Sequence, residues 1–105
     1  MPTYLVEAYT SRSHAQEAWA AGRRARAAAK ALSREGTAVR YVRTTYLPDD
    51  ETCFHFFEAP SAEIVEEVSL RARLGRARIV PAIDATRPAR RPANEHPRMV
   101  RRKSP

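Results

Sequence analysis

The hydrophobic and polar positions of this 105-residue chain change their spacing several times before residue 84. Alternation with a period of two, together with β-branched and aromatic residues, indicates four strands. Apolar positions that recur every three or four residues indicate two helices between them. The predicted strands are 3–9, 37–47, 52–59 and 76–83, and the predicted helices lie within 13–36 and 61–75.

Capping residues and breakers set the expected ends of these elements. Ser13, with Gln16 three residues later, has the spacing of a capping box, and Gly36 is expected to end the first helix. Ser61 is expected to cap the second helix. Pro81 predicts an edge position for the last strand, because proline cannot donate to a neighbouring strand. The buried stripe predicted for the first helix is made of small residues: Ala15, Ala18, Gly22, Ala25, Ala29 and Leu32.

The order strand–helix–strand–strand–helix–strand is that of the ferredoxin-like split βαβ arrangement. The sequence therefore predicts an α+β domain over residues 1–83. We expect a four-stranded antiparallel sheet, with the first and third strands in the centre and both helices on one face. Residues 84–105 contain four prolines and no aromatic residue. Such a segment cannot bury enough apolar surface to fold, so we expect a disordered tail.

The sheet face away from the helices is the informative feature of this prediction. We expect Tyr4, Val6, Ala8, Phe54 and Phe56 to face the helices. The open face would then carry Leu5, Glu7, Tyr9, Cys53, His55 and Phe57, joined by Tyr41 and Arg43 or by Val42 and Thr44. A sheet face that is half apolar needs a cover. The pattern predicts a homodimer paired through this face, as in a dimeric α+β barrel.

Three residues of that face could carry chemistry. Glu7 and His55 are expected on adjacent central strands, where a carboxylate and an imidazole could bind a metal or act as a general base with its orienting partner. The alternative is a structural hydrogen bond inside a dimer interface. Cys53 could be a metal ligand or a nucleophile, or else a small buried hydrophobic residue. With three glycines in the chain, we expect no phosphate-binding loop.

Charge divides the chain into two parts. Residues 1–83 carry a net charge of +2 and residues 84–105 a net charge of +5. The tail could therefore contact nucleic acid or acidic partners, weakly and without base specificity. The single cysteine excludes an intramolecular disulfide and fits a reducing compartment. No apolar run is long enough to span a membrane and no signal peptide is recognisable, so the cytoplasm is the expected location.

Three stretches carry a family resemblance: PTYLVEAY, GTAVRYVRTTYLPDDETCFHFFEAPSAEIVEEV and RARIVPAI. Over roughly residues 2–83 the chain resembles a family of small ferredoxin-like proteins, common in actinobacteria and mostly of unknown function, some of which are described as nickel-binding. The most specific stretch runs from Pro48 to Ser61. The resemblance implies a ferredoxin-like fold, a homodimer and a site for nickel or another divalent metal.

The chain departs from its relatives at two positions that bear on this metal. Many relatives carry a histidine where this chain has Thr44 or Thr45, and another where it has Val68. The ligands left to name are His55, Glu7 and Cys53.

Three functions stay open on the sequence. The first is a small divalent-metal-binding protein. The second is a cofactor-free enzyme or small-molecule binder, with a cavity lined by Tyr9, Tyr41, Tyr46, Phe57 and Trp19. The third is an interaction module that uses its basic tail. We favour a binding role over an enzyme.

Overall fold

The computed structural model describes residues 1–86. Residues 87–105, most of the predicted tail, lie outside the described residues. The strands and helices follow the predicted order, with these bounds: β1 (Thr3–Tyr9), α1 (Gln16–Arg34), β2 (Arg40–Leu47), β3 (Thr52–Glu58), α2 (Ala62–Arg71) and β4 (Ala77–Ala82). Two short 3-10 helices precede α1 and β3, respectively. Within residues 1–86, neither helix is long and apolar enough to cross a bilayer.

The four strands form one antiparallel sheet in the order β2-β3-β1-β4. The first and third strands are central, as predicted, and Pro81 lies on β4 at one edge. Helix α1 packs mainly against β2, while α2 packs against β4 and β1. The prediction of an α+β fold with ferredoxin-like strand order is therefore confirmed.

The helix ends differ in detail from the predicted caps. The Ser11 hydroxyl accepts a hydrogen bond from the backbone N–H of Ser13 and caps the first 3-10 helix. Helix α1 then begins after Ala15 without a side-chain cap, so the capping box predicted at Ser13 is wrong. Ser61 is the residue before α2, but its side chain makes no capping hydrogen bond. Gly36 follows α1 with φ of +98°, a conformation that glycine adopts without strain.

The register of β3 reverses the predicted faces of that strand. Val6 lies opposite His55, and Ala8 lies opposite Cys53. Residues directly opposite on neighbouring strands point to the same face, and Val6 and Ala8 are buried towards the helices. The helix face of β3 is therefore Cys53, His55 and Phe57, and its open face is Phe54 and Phe56. The prediction was wrong because both alternating sets contain aromatic residues, so alternation alone did not choose between them.

A β-bulge in β2 determines which of its side chains reach the helices. The register shifts just after Tyr41. Tyr41 pairs with Phe57 and Thr44 pairs with His55, so both point towards the helices although they are three residues apart. In a regular strand, residues at an odd separation point to opposite faces. The open face was predicted to receive either Tyr41 and Arg43 or Val42 and Thr44. Both alternatives are wrong, because each contains one residue that points towards the helices.

Small residues on α1 let the helix lie close to the sheet. Its buried positions are Ala18, Ala21, Gly22, Ala25, Ala28, Ala29 and Leu32. All of these except Ala18 and Gly22 belong to one core cluster with the fully buried Val6 and Phe57 of the sheet and Val65 and Val68 of α2. Because the helix contributes almost no side-chain bulk, polar groups on the sheet below it come near its backbone. This close approach sets the geometry of the site.

Arg24 joins the two helices. Its Nε donates to the Ala72 carbonyl oxygen at 2.7 Å, and one terminal nitrogen donates to the Arg73 carbonyl oxygen at 3.2 Å. The same guanidinium contacts Glu17 at 2.8 Å and lowers the pKa of that carboxyl. A cation at the end of α2 satisfies carbonyl groups that have no partner within the helix. Arg24 therefore has a structural role, although it lies on the charged helix α1.

Candidate functional site

The structure separates the three residues predicted to bind a metal. Glu7 lies on the open face, where one of its carboxylate oxygens is 3.7 Å from a terminal nitrogen of Arg78. His55 and Cys53 lie on the helix face and are fully buried. The predicted pairing of Glu7 with His55 on one face is therefore wrong, because the sheet itself stands between them. His55 and Cys53 are two residues apart on the same side of β3.

The environment of Cys53 favours a protonated thiol. Burial, and secondarily the charge of Glu17, raises the pKa of Cys53 to about 11, although a hydrogen bond with Thr10 opposes this. The thiolate is the form that attacks electrophiles and binds metals. At neutral pH Cys53 therefore has the properties of a small core residue, which was the structural alternative considered for it.

His55 is a buried imidazole with one polar partner. Burial, with a further contribution from the charge of Arg24, lowers its pKa to about 4. Its Nδ1 lies 2.8 Å from the Thr44 hydroxyl. Its Nε2 is buried and has no hydrogen-bond partner among the described residues. Buried polar atoms without a partner are rare and mark positions that need a functional or structural explanation.

A chain of hydrogen bonds leads from His55 towards the surface. The Tyr41 hydroxyl lies 2.8 Å from the Thr44 hydroxyl, which in turn contacts the imidazole. We call Tyr41, Thr44 and His55 the polar relay. The bulge in β2 makes the relay possible, because it brings Tyr41 and Thr44 to the same face. Both hydroxyls can reorient to donate or accept a hydrogen bond.

Gly22 of α1 lets the helix backbone approach the relay closely. A Cβ atom at this position would lie 3.1 Å from the Thr44 Oγ1 atom and 3.6 Å from the Tyr41 hydroxyl oxygen. The first distance is tighter than an ordinary contact, so a side chain here would press on the relay. The absence of a side chain at Gly22 therefore lets the α1 backbone pack directly against the two hydroxyls.

Gly22 and the two hydroxyl-bearing residues lie in a cleft of about 500 Å³ between α1 and β2. Gly22, Tyr41 and Thr44 form its inner wall, and Trp19 and Arg23 stand at its outer edge. Trp19 is 68% exposed, which is high for a tryptophan in a folded domain. The remaining lining comes from Ala18, Arg26, Tyr46 and Pro48. We call this the α1–β2 cleft.

The residues that the structure describes do not form a conventional divalent-metal site. Among residues 1–86, no three His, Cys, Asp or Glu side chains lie close enough together to hold an ion. His55 offers one free nitrogen, the neighbouring Cys53 thiol is protonated, and Glu7 is on the other side of the sheet. A stable zinc or nickel site in a protein draws on several converging donors.

Comparison with known proteins assigns the chain to a family. The family model of the nickel responsive protein SCO4226-like matches residues 4–81, which is most of the chain and nearly all of the folded domain. The chain belongs to the SCO4226-like family. No curated protein and no solved structure matches the chain. The family match agrees with the resemblance found in the sequence.

Sequence reasoning found part of the site and missed the rest. His55 was singled out, and Tyr41, Tyr46 and Trp19 were named as possible cavity lining. Gly22 was assigned only a packing role. Thr44 was considered for the open face, and Thr44 or Thr45 was noted as a position where many relatives carry a histidine. This difference from the relatives was the one sequence feature that pointed to Thr44 as a site residue, because Thr44 proves to contact the His55 ring.

Proposed function

We propose that this protein binds a small, planar organic anion in the α1–β2 cleft. The observation that carries the proposal is the polar relay, whose Tyr41 and Thr44 hydroxyls lie with Gly22 in the lining of the α1–β2 cleft. A bound carboxylate could accept a hydrogen bond from the Tyr41 or Thr44 hydroxyl. Such contacts orient a ligand that is otherwise held by apolar and charged groups at the mouth of a cleft.

The wall of the cleft supports an anion with a flat ring. Arg23 and Arg26 line it, and no Asp or Glu is among its lining residues in the described part of the chain. Guanidinium groups bind carboxylates through two parallel hydrogen bonds. The exposed indole of Trp19 offers a surface on which a planar ring can stack. Charge and shape therefore favour the same class of ligand.

Binding is better supported than catalysis. A general base works best when its pKa is near the operating pH. Burial lowers the pKa of His55 to about 4, so the neutral imidazole has little tendency to take a proton at pH 7. We assign His55 the role of fixing the Thr44 hydroxyl.

Trp19 provides the test, because it is the only tryptophan in the chain. Its fluorescence would be followed during titration with benzoate, with benzamide as an uncharged control and cyclohexanecarboxylate as a non-planar control. We expect benzoate to bind most tightly, because it alone satisfies both the arginines and the indole. Equal responses to all three compounds, or no saturable response, would overturn the proposal.

Variants of α1 sharpen this test. Gly22→Ala should weaken benzoate binding because its Cβ would contact the Thr44 hydroxyl. Arg23→Ala should also weaken it. Arg34→Ala removes the same charge from the last turn of the helix, outside the cleft, and should leave binding unchanged. Calorimetry would confirm that the fluorescence change reports binding.

Nickel binding is the second candidate, and the family description supports it. The one donor in favour is the unpartnered Nε2 of His55. Against it stands the separation of His55 from Glu7 and the protonated thiol of Cys53. Calorimetry with Ni²⁺, Zn²⁺ and Co²⁺ would test this. Micromolar binding that is lost in His55→Ala would support a metal site, and binding that is unchanged in this variant would exclude His55 as a ligand.

We also propose that the open sheet face pairs with a second copy of the chain. Its centre is apolar, with Leu5 beside Phe56 and Val80, and the Arg43 guanidinium lies 4.1 Å from the centre of the Phe56 ring. Light scattering of the wild type and of Phe56→Glu tests this proposal. A dimer that the substitution dissociates would support it, and a monomeric wild type would contradict it.

The basic tail and the cellular location complete the proposal. Seven Lys and Arg residues lie in residues 84–105, and they could hold an acidic partner or nucleic acid near the domain. Deleting residues 85–105 should abolish any such salt-sensitive association.

The proposed cellular location is the cytoplasm. The single cysteine is compatible with this reducing compartment.

A further inference from the structure

A second cleft continues from the first along the same helix and strand. It has a volume of about 440 Å³ and shares Arg26 and Tyr41 with the α1–β2 cleft. Lys30 and Ser33 of α1 line it on the helix side, and Val42 lines it on the strand side. We call it the distal cleft. Trp19 and Lys30 are eleven residues apart on one helix, which corresponds to roughly 16 Å along its axis.

The charges along this double cleft are of one sign. Arg23, Arg26 and Lys30 are all exposed and follow one another along the outer side of α1. Arg40 also lines the distal cleft, but it is paired with Glu58 at 3.0 Å, so we do not count it as available. Within the described residues, neither cleft is lined by a carboxylate. Closely spaced cations without interleaved acids favour a ligand with several negative charges.

The two clefts differ in the chemistry they offer. The α1–β2 cleft has the exposed Trp19 indole and the two hydroxyls of Tyr41 and Thr44. The distal cleft has no tryptophan and adds the Lys30 ammonium, a compact cation that suits phosphate. One end of the double cleft therefore suits a ring, and the other end suits phosphate groups. Arg26 lies at their junction and can contact both parts of one ligand.

We propose that the ligand is a nucleoside diphosphate or a close chemical equivalent. Its ring would stack on Trp19, and its phosphates would extend past Arg26 to Lys30. This inference rests on the proposed function, because it assigns the ring to the same cleft. It adds the substrate class and the direction in which the ligand lies. Extended, the ring, the sugar and two phosphates have a length comparable to the spacing of Trp19 and Lys30.

The test separates the contribution of the ring from that of the phosphates. Adenosine, ADP and pyrophosphate would be titrated by calorimetry at fixed ionic strength without magnesium. We expect ADP to bind more tightly than either of the others. Lys30→Ala should weaken ADP binding about three- to tenfold, the effect of losing one partly exposed charge contact to phosphate, while leaving adenosine unaffected. Trp19→Ala should bring ADP binding down to that of pyrophosphate.

Arg34→Ala is the matched control, because it removes one exposed cation from α1 outside both clefts. If Arg34→Ala weakens ADP binding as much as Lys30→Ala does, ADP is attracted by the overall positive charge of α1 and not by a contact in the distal cleft. The inference is then wrong. If benzoate binds but ADP binds no better than adenosine, the inference falls while the proposed function stands. If neither benzoate nor ADP binds, both fall. Tighter binding of a short single-stranded RNA through Trp19 and Lys30 would also overturn the assignment to a nucleotide.

Discussion

The buried imidazole of His55 should make the stability of the domain depend on pH in a specific way. Burial lowers the pKa of His55 to about 4 in the folded chain, whereas an unfolded chain has a histidine pKa of about 6.5. Between these values the unfolded state binds a proton that the folded state does not bind. The free energy of unfolding must therefore fall as the pH falls through this window, and the contribution levels off below pH 4.

The size of the effect follows from the same two values. A difference of about two and a half pKa units corresponds to about 3 kcal/mol in total, of which about 2 kcal/mol is already lost at pH 5. A domain of this size has a total stability of only about 5–10 kcal/mol, so this loss is readily measured. Above pH 7 both states hold a neutral imidazole, and the contribution of His55 no longer changes.

Urea denaturation of the wild type and of His55→Leu, at pH 7.5 and at pH 5, measures this contribution. Other groups also titrate over this range, so the informative quantity is the difference between the two proteins in their loss of stability. We expect the wild type to lose about 2 kcal/mol more than His55→Leu. His14→Gln, which removes an exposed imidazole before α1, should behave as the wild type does. Equal losses of stability in the wild type and in His55→Leu would show that the folded state does not lower the pKa of His55, and would refute this reasoning.

Two further predictions concern stability, and denaturation at pH 7.5 measures both. Thr44→Val breaks the polar relay and leaves a buried ring nitrogen without its partner, so it should cost about 1–3 kcal/mol. Thr45→Val, the neighbouring change on the open face, should alter stability by less than about 0.5 kcal/mol, and equal effects would refute the relay. Arg24→Ala removes the hydrogen bond to the Ala72 carbonyl oxygen and should cost about 1–2 kcal/mol. Arg23→Ala, one residue away but exposed, should be nearly neutral, and the reverse order would contradict the structural role given to Arg24.

The elements of this fold could be predicted from the sequence because their periodicities are clear. The small-residue stripe indicates helix α1, and the runs rich in β-branched residues indicate strands. The order of the elements along the chain follows from where these patterns lie. Pro81 correctly indicated that β4 is an edge strand.

The faces of β3 could not be predicted in the same way. Residues 52–59 place aromatic side chains on both faces. The alternation is therefore evident in the sequence, but it does not show which set of side chains faces the helices. The orientation depends on pairing with β1, which is a contact between residues far apart in the chain.

The candidate site was predictable only in part for a related reason. His55 stands out as a histidine in a largely apolar strand, and it does prove to be fully buried. Its partner was taken to be Glu7, whereas the structure gives it Thr44. That contact depends on the β-bulge after Tyr41. No glycine or proline in β2 indicates this bulge in the sequence. The close contact of Gly22 with Thr44 likewise follows from how α1 packs on β2, a contact between residues far apart in the chain.

The most direct test of the proposed binding site is to locate a bound anion by NMR. Nuclear Overhauser effects would be recorded between the ring protons of added benzoate and the side chains of the labelled protein. We predict contacts to the Trp19 indole and the Tyr41 ring, on the two sides of the α1–β2 cleft. Contacts to Phe54 and Phe56 instead would place the ligand on the open sheet face and contradict this account.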